Sequence, residues 1–208
     1  MVRYKSQVSS ETEQRILEAA RQEFIRFGYD GTSIQQIADV AHINKSLVHY
    51  YFRSKDRLFN QIFIQAFQNF VPKIEEIFSM EISIMEKIEK TIGNYIELLA
   101  ENSFLPSFIL HEINQHPDRI YELMHSARVN PAVFLKAIQA ETEKGILRPV
   151  DPRHVFINII ALCVFPFVGR PILQRVFFQG NGSAYDKFLE ERKKEVTQFV
   201  IQAICIKK

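Results

Sequence analysis

Between Ala41 and Lys55 the chain reads AHINKSLVHYYFRSK. Cationic, hydrogen-bonding and flat aromatic side chains crowd into this short span. If a helix begins at Asn44, Val48 and Phe52 fall one turn apart on its inner side, while Lys45 pairs with His49 and Ser46 with Tyr50 on another. The outward face is then Lys45, Ser46, His49 and Tyr50, with Leu47 at its edge. Such a mixture suits phosphate oxygens and the edges of bases in a major groove, and an apolar Leu47 can meet a thymine methyl. Asn44 is a favoured helix cap, and the helix start that it marks prefers anions. The plainer reading of Lys45, Arg53 and Lys55 is a solvated helix face with half-buried tyrosines. The shortness of the helix and the clustered aromatics favour nucleic acid instead.

Elsewhere, catalytic chemistry finds little support. HEINQH (His111 to His116) looks briefly like a zinc-protease motif. However, its histidines stand five apart, about 140° around a helix, and cannot face one metal as a four-residue spacing does. No Gly-rich phosphate loop, nucleophile elbow or Cys-x-x-Cys occurs in the sequence, so no catalytic residue, metal ligand or cofactor is assigned.

The elements that must position the basic stretch are helices. The 208 residues are 47% hydrophobic and 24% charged, with a formal charge of +2. These values fit a globular protein and give no strong field for nucleic acid; the local run of Lys45, Arg53, Lys55 and Arg57 against Asp56 says more than the sum. Apolar residues recur at spacings of three and four almost throughout, which predicts an all-α chain. Ser9 or Ser10 is a candidate cap for a first helix with Ile16, Leu17, Ala20, Phe24 and Phe27 on one face and Gly28 as its stop. Thr32 or Ser33 is positioned to cap a short second helix, Asn44 a short third one. Ser54 opens a long fourth helix ending near Pro72. Further helices are expected over Ile82 to Glu101, Leu105 to Gln115, Pro117 to Gly145 with a break at Pro131, Asp151 to about Gln179, and Ser183 to Ile206. Two helices as short as the second and third cannot stand alone and must pack on the first and fourth, which makes a helix-turn-helix. Cys163 and Cys205 lie in apolar runs and read as reduced, buried thiols. The start MVRYKSQVSSETEQ has no apolar stretch for a signal peptide, and Val155 to Val168 is too short to span a bilayer, so a cytoplasmic protein without membrane partners is expected.

The stretch TSIQQIADVAHINKSLVHYYFRSKDRLF, preceded by RILEAARQEFIRFGYDG, resembles the DNA-binding signature of the tetracycline-repressor (TetR) family of bacterial transcriptional regulators. The resemblance covers about residues 10 to 60. It implies an all-helical, homodimeric repressor of a near-palindromic DNA operator, with a helix-turn-helix domain (residues 1–55) and a helical regulatory domain (residues 56–208) that binds a small effector and dimerises. Carried over by position, Thr32 and Ser33 begin the second helix, where the family contacts phosphate. Lys45, Ser46 and Leu47 begin the recognition helix, Tyr51 falls where a phosphate contact is common, and Lys55 opens the fourth helix. With Asn44, His49 and Tyr50 these make the expected DNA surface. Two departures stand out. His42 replaces the usual Gly of the turn, where a left-handed backbone is needed. His49 replaces a Tyr aimed at the backbone, which predicts tighter binding in mildly acid solution, where an imidazole takes up its second proton.

Phe59, Phe63, Phe67, Phe70, Phe78, Phe104, Phe108 and Phe134 make the larger domain rich in phenylalanine. For any one of them a plain core is the simpler reading. With the resemblance, an aromatic pocket for a hydrophobic or amphipathic effector is expected around Phe63, Phe67, Phe108 and Phe134, with Asn94, Tyr95, His111, Glu112 and Tyr121 as polar groups. The last two helices carry more apolar surface than a peripheral helix needs. That surface is either a satellite core or a subunit interface, and the resemblance favours a two-fold interface through Phe156, Ile160, Val164, Phe167, Phe188, Val196, Phe199, Val200 and Ala203. The alternatives are an enzyme and a helical adaptor with a degenerate DNA-binding head.

Overall fold

The computed structural model describes residues 2–206, with side chains from Glu11 onward. Among the described residues every regular element is a helix: α1 Val2–Gly31, α2 Ile34–Val40, α3 Lys45–Phe52, α4 Lys55–Ser79, α5 Ile84–Glu101, α6 Leu105–Gln115, α7 Pro117–Ser126, α8 Ala132–Glu143, α9 Pro152–Val168, α10 Arg170–Phe178 and α11 Gly182–Ile204. An isolated bridge joins Leu147 to Cys205. The backbone of α1 is helical through residues 9 and 10; the caps expected from Ser9 or Ser10 concern side chains outside the described residues. Gly28 (φ 71°, ψ 176°) interrupts α1 where a stop is expected, and one more turn follows.

The chain forms two compact units, residues 1–66 with 102–127 and residues 67–101 with 128–208. These divide the chain differently from the expected boundary at 55/56, because α6 and α7 belong to the unit that holds the helix-turn-helix. In that unit, Ile16, Ala20, Phe24, Ile37, Ala38, Val48, Phe52, Leu58, Phe59 and Leu105 are buried. Phe59 is its aromatic hub, 5.2 Å from Phe24, 5.1 Å from Tyr29, 5.6 Å from Phe104 and 3.8 Å from Phe108 between ring centroids. These rings join α1, α4 and α6, and the short α2 and α3, which cannot stand alone, bury Ile37, Ala38, Val48 and Phe52 in the same unit.

The second unit centres on Ile88, Ile92, Ile96, Phe134, Ile138, Ile159, Cys163, Val196 and Val200, contributed by α5, α8, α9 and α11. Pro166 lies inside α9 without breaking it. Its missing N–H leaves the Leu162 carbonyl without a helical donor, and Arg192 of α11 donates to that oxygen at 2.9 Å. The Tyr185 hydroxyl donates to the Pro166 carbonyl at 2.6 Å. The helix ends at Val168, and Pro171 falls in the first turn of a separate α10, bent by 73° from α9. No single described helix is long and apolar enough to cross a membrane. Cys163 is buried and its thiol is pushed up to about 12 by that burial, while Cys205 is half-buried; both are free.

Two boundaries differ from the sequence expectation. α4 continues past Pro72 to Ser79. The carbonyl that Pro72 leaves unbonded belongs to Gln68, an exposed residue, where water can take it. The single helix expected over Asp151 to about Gln179 is two, α9 and α10, meeting at Gly169, while the break expected at Pro131 does separate α7 from α8.

Candidate nucleic-acid interface

Ser33, not Thr32, caps α2. Its hydroxyl accepts from the Gln36 N–H at 3.2 Å and the Gln36 side chain accepts from the Ser33 N–H at 2.8 Å, a reciprocal capping box. Ala38 and Ala41 are buried, and the turn closes through the Ile43 N–H to the Ala38 carbonyl at 3.0 Å. His42 takes φ 52°, the left-handed position that the turn requires. Asn44 then caps α3 by accepting from the Leu47 N–H at 2.8 Å. Val48 and Phe52 point into the core, so Asn44, Lys45, Ser46, His49 and Tyr50 are turned to solvent, and the Tyr50 side chain is 73% exposed. Leu47 and Tyr51 are half-buried at the edges of that face. The Tyr50 and Tyr51 rings meet edge to face at 5.4 Å.

His49 Nδ1 lies 3.2 Å from the Arg53 carbonyl. A carbonyl only accepts, so Nδ1 carries the hydrogen of this contact and Nε2 is the ring nitrogen left for another partner. Arg53 itself ends α3 at φ 64°, its N–H donating to the His49 carbonyl, and stays exposed with Arg57. Among the described residues no carboxylate ion-pairs with Lys45, Arg53 or Arg57. Arg53 and Arg57 therefore join the candidate phosphate contacts, although only their charge, and not their exposure, was legible in the sequence.

Two expected DNA residues turn inward. Thr32 is buried, and its hydroxyl donates toward the Gly28 carbonyl at 2.7 Å and the Glu23 carbonyl at 3.1 Å. Lys55 donates to the Tyr29 carbonyl at 2.8 Å and the Thr32 carbonyl at 3.0 Å, with its ammonium 4.3 Å from the Tyr29 ring centre. Two of its three hydrogens thus fasten the start of α4 to the α1–α2 turn. Beside it, the Tyr29 hydroxyl donates to Asp56 Oδ1 at 2.6 Å, which also meets Arg119 at 2.9 Å. Accepting that hydroxyl, and then the nearby Arg119 charge, holds the Asp56 carboxyl below its ordinary range; burial and the same hydrogen bond push the Tyr29 phenol up.

The residues expected around an effector divide between the two units. Phe63, Phe108, His111, Glu112 and Tyr121 fall in the first. There Phe63 and Phe108 are core, Glu112 is buried against Arg119 at 3.1 Å, and His111 and Tyr121 are exposed. Phe67, Asn94, Tyr95 and Phe134 fall in the second, where Tyr95 packs on Phe70, Phe134 lies between Phe78 and Phe156, and Asn94 donates to the Lys90 carbonyl. A surface groove of about 660 Å3 in the second unit is lined by Leu135, Gln139, Val150 and Arg153, among others, and by none of the expected pocket residues.

The expected interface residues divide by exposure. Phe167, Val196 and Val200 are consumed by the core of the second unit, and Phe156, Ile160, Val164, Phe188 and Ala203 are half-buried, Phe188 packing on Phe178 and Tyr185. Phe199 is exposed, and so are Ile157, Phe165, Ile172, Val176 and Phe177, none of which was singled out. Ile157 and Phe165 stand eight apart on one face of α9, a signal that an almost wholly apolar helix hides.

Residues 16–62 match the model of bacterial regulatory proteins of the tetR family. The regulator RutR of Escherichia coli K12 is 25% identical over 158 residues, covering 76% of this chain and 74% of RutR. The crystal structure of a HlyIIR mutant protein aligns over 96% of this chain and 98% of its own at a TM-score of 0.70 and 21% identity. That of AibR in complex with isovaleryl coenzyme A and operator DNA aligns over 75% of this chain and 85% of its own at a TM-score of 0.64 and 17% identity. At these identities the structural likeness is one of fold.

Proposed function

We propose that the chain is a transcriptional regulator of the tetR family of bacterial regulatory proteins, a homodimeric repressor which reads a near-palindromic operator and is released by a small hydrophobic or amphipathic effector. The observation that carries the reading is α3. It is capped by Asn44, anchored by Val48 and Phe52, and turns Lys45, Ser46, His49 and Tyr50 outward together. In the complex, Lys45, Arg53 and Ser33 hold phosphates while Ser46, His49 and Tyr50 meet base edges or the adjoining backbone. Lys55 and Thr32 contribute by fixing the turn that aims α3, not through their side chains on DNA.

Two copies place two such helices in successive major grooves, and the dimer fixes their spacing. The exposed Ile157, Phe165, Ile172, Val176, Phe177 and Phe199 of α9 to α11 supply an apolar face that a second copy covers. AibR, which shares the fold, was crystallised with an acyl coenzyme A and operator DNA together, which supports an amphipathic effector here. To move the protein from 1:99 to 99:1 in favour of a non-binding state, the effector must prefer that state by about 5.5 kcal/mol.

The test is selection of duplexes from a random library with the purified protein, followed by fluorescence anisotropy in a salt series. Enrichment of one inverted repeat, bound far more tightly than scrambled duplex and with a steep salt slope, is the expected result. Weak binding that is equal on all duplexes would overturn it.

A further inference from the structure

Arg119 of α7 is the cation that meets both Asp56 and Glu112. Its guanidinium contacts Asp56 Oδ1 at 2.9 Å and Glu112 Oε2 at 3.1 Å, donates to Asn60 Oδ1 at 3.1 Å, and lies 5.7 Å from the Phe108 ring centre. Glu112 is 3% exposed and stands in the last turn of α6, where the helix dipole opposes a carboxylate. A buried charge so placed requires a cation, and Arg119 meets it. On the other side, Asp56 takes the Tyr29 hydroxyl, and its neighbour Lys55 holds the Tyr29 and Thr32 carbonyls. One polar chain therefore runs from α6 and α7 through the first turn of α4 to the turn that precedes α2. Only Arg53 and Ser54 separate α4 from α3, and Arg53 (φ 64°, ψ −43°) is the centre of a tight three-residue turn closed by the Ser54 N–H on the Phe52 carbonyl at 2.6 Å, which leaves the link little freedom. Displacing the first turn of α4 must displace α3.

We propose that Arg119 is a positioning residue for DNA reading: by bridging Asp56 to the buried Glu112, it sets the seating of α4 on α6 and α7 and hence the angle at which α3 presents Lys45, His49 and Tyr50. Neither Arg119 nor Asp56 needs to touch DNA. This inference rests on the DNA-reading role proposed above and adds to it a residue from outside the matched segment, which ends at residue 62.

The decisive variant is Asp56→Asn. It keeps the size of the side chain and an oxygen for the Tyr29 hydroxyl, and removes the charge that faces Arg119. If Asp56 acted only as a negative charge near DNA, its removal would relieve repulsion and tighten binding. If it seats α4, binding weakens. The experiment measures affinity for the selected duplex, by anisotropy over a salt series, for the wild-type protein, Asp56→Asn, Arg119→Gln and the double variant, with thermal unfolding alongside. Expected are a loss of about three- to tenfold for Asp56→Asn with an unchanged salt slope, a loss at least as large for Arg119→Gln, and a double variant no weaker than the weaker single. Arg119→Lys, which keeps the charge but not the fork, recovers part of the affinity. Equal or tighter binding by folded Asp56→Asn, or additive losses in the double variant, would overturn the inference while leaving the DNA-reading role intact. A wild-type protein that selects no duplex would overturn that role and this inference with it.

Discussion

Lys45 and Lys55 frame the same basic stretch and do opposite work. Lys45 is exposed on α3, whereas Lys55 is bonded to two backbone carbonyls. Lys45→Ala should weaken operator binding and lower the salt slope by about 1, as the loss of one phosphate contact does. Lys55→Ala should instead lower unfolding stability by roughly 1–3 kcal/mol, because charge-assisted bonds are lost and two carbonyls are left without their donor, and should leave the slope nearly unchanged. Urea unfolding and salt-dependent anisotropy separate the two. His49 gives a further check: His49→Ala should lower affinity for the selected duplex while leaving the urea midpoint nearly unchanged, because its ring is exposed. Asp56 gives another. Its carboxyl is depressed by the Tyr29 hydrogen bond and by Arg119, so the stability it contributes is complete above the ordinary carboxylate range near pH 4 and is lost as pH falls through its folded value. The melting temperatures of wild type and Asp56→Asn should accordingly converge in acid. The types of these residues could be read from the sequence. Which lysine faces out could not, because Tyr29 and Thr32, whose carbonyls engage Lys55, are brought to it by the fold.

At the scale of the element, caps and stops were the most legible features, because each is a local bargain between one side chain and nearby backbone. Asn44, Ser33, Gly28 and the left-handed His42 all act within a few residues of where they stand. Asn44→Ala should therefore destabilise the first unit by about 1 kcal/mol, seen as a lower denaturant midpoint with an unchanged m-value. Prolines were less legible. Pro72 and Pro166 sit inside helices that continue, since an exposed Gln68 carbonyl can turn to water and the Leu162 carbonyl finds Arg192, a partner thirty residues away. A proline's cost depends on what meets the freed carbonyl, and that partner is not local.

At the scale of the whole molecule, the apolar surface of α9 to α11 separates into residues that hold the second unit together and residues left facing water. Val196 and Val200 belong to the first group and Phe199 to the second, although all three lie within five residues of α11. A dimer built on that face predicts that Phe165→Glu with Phe199→Glu gives a folded, helical monomer in sedimentation velocity. Phe167→Glu, which places a charge in the core, should unfold the second unit instead. Dimeric sedimentation of the double variant would show that the interface lies elsewhere.

By itself the sequence determined the all-helical class, the order and capping of the helices, and the outward side of α3, because hydrophobic period and capping chemistry are decided within one or two turns. It could not divide α6 and α7 from the rest of the larger domain, recognise Arg119, or tell exposed from core residues on α9 and α11. Those outcomes depend on contacts between residues far apart in the chain. Glu112 became an anchor for Arg119 only when folding buried it beside α7.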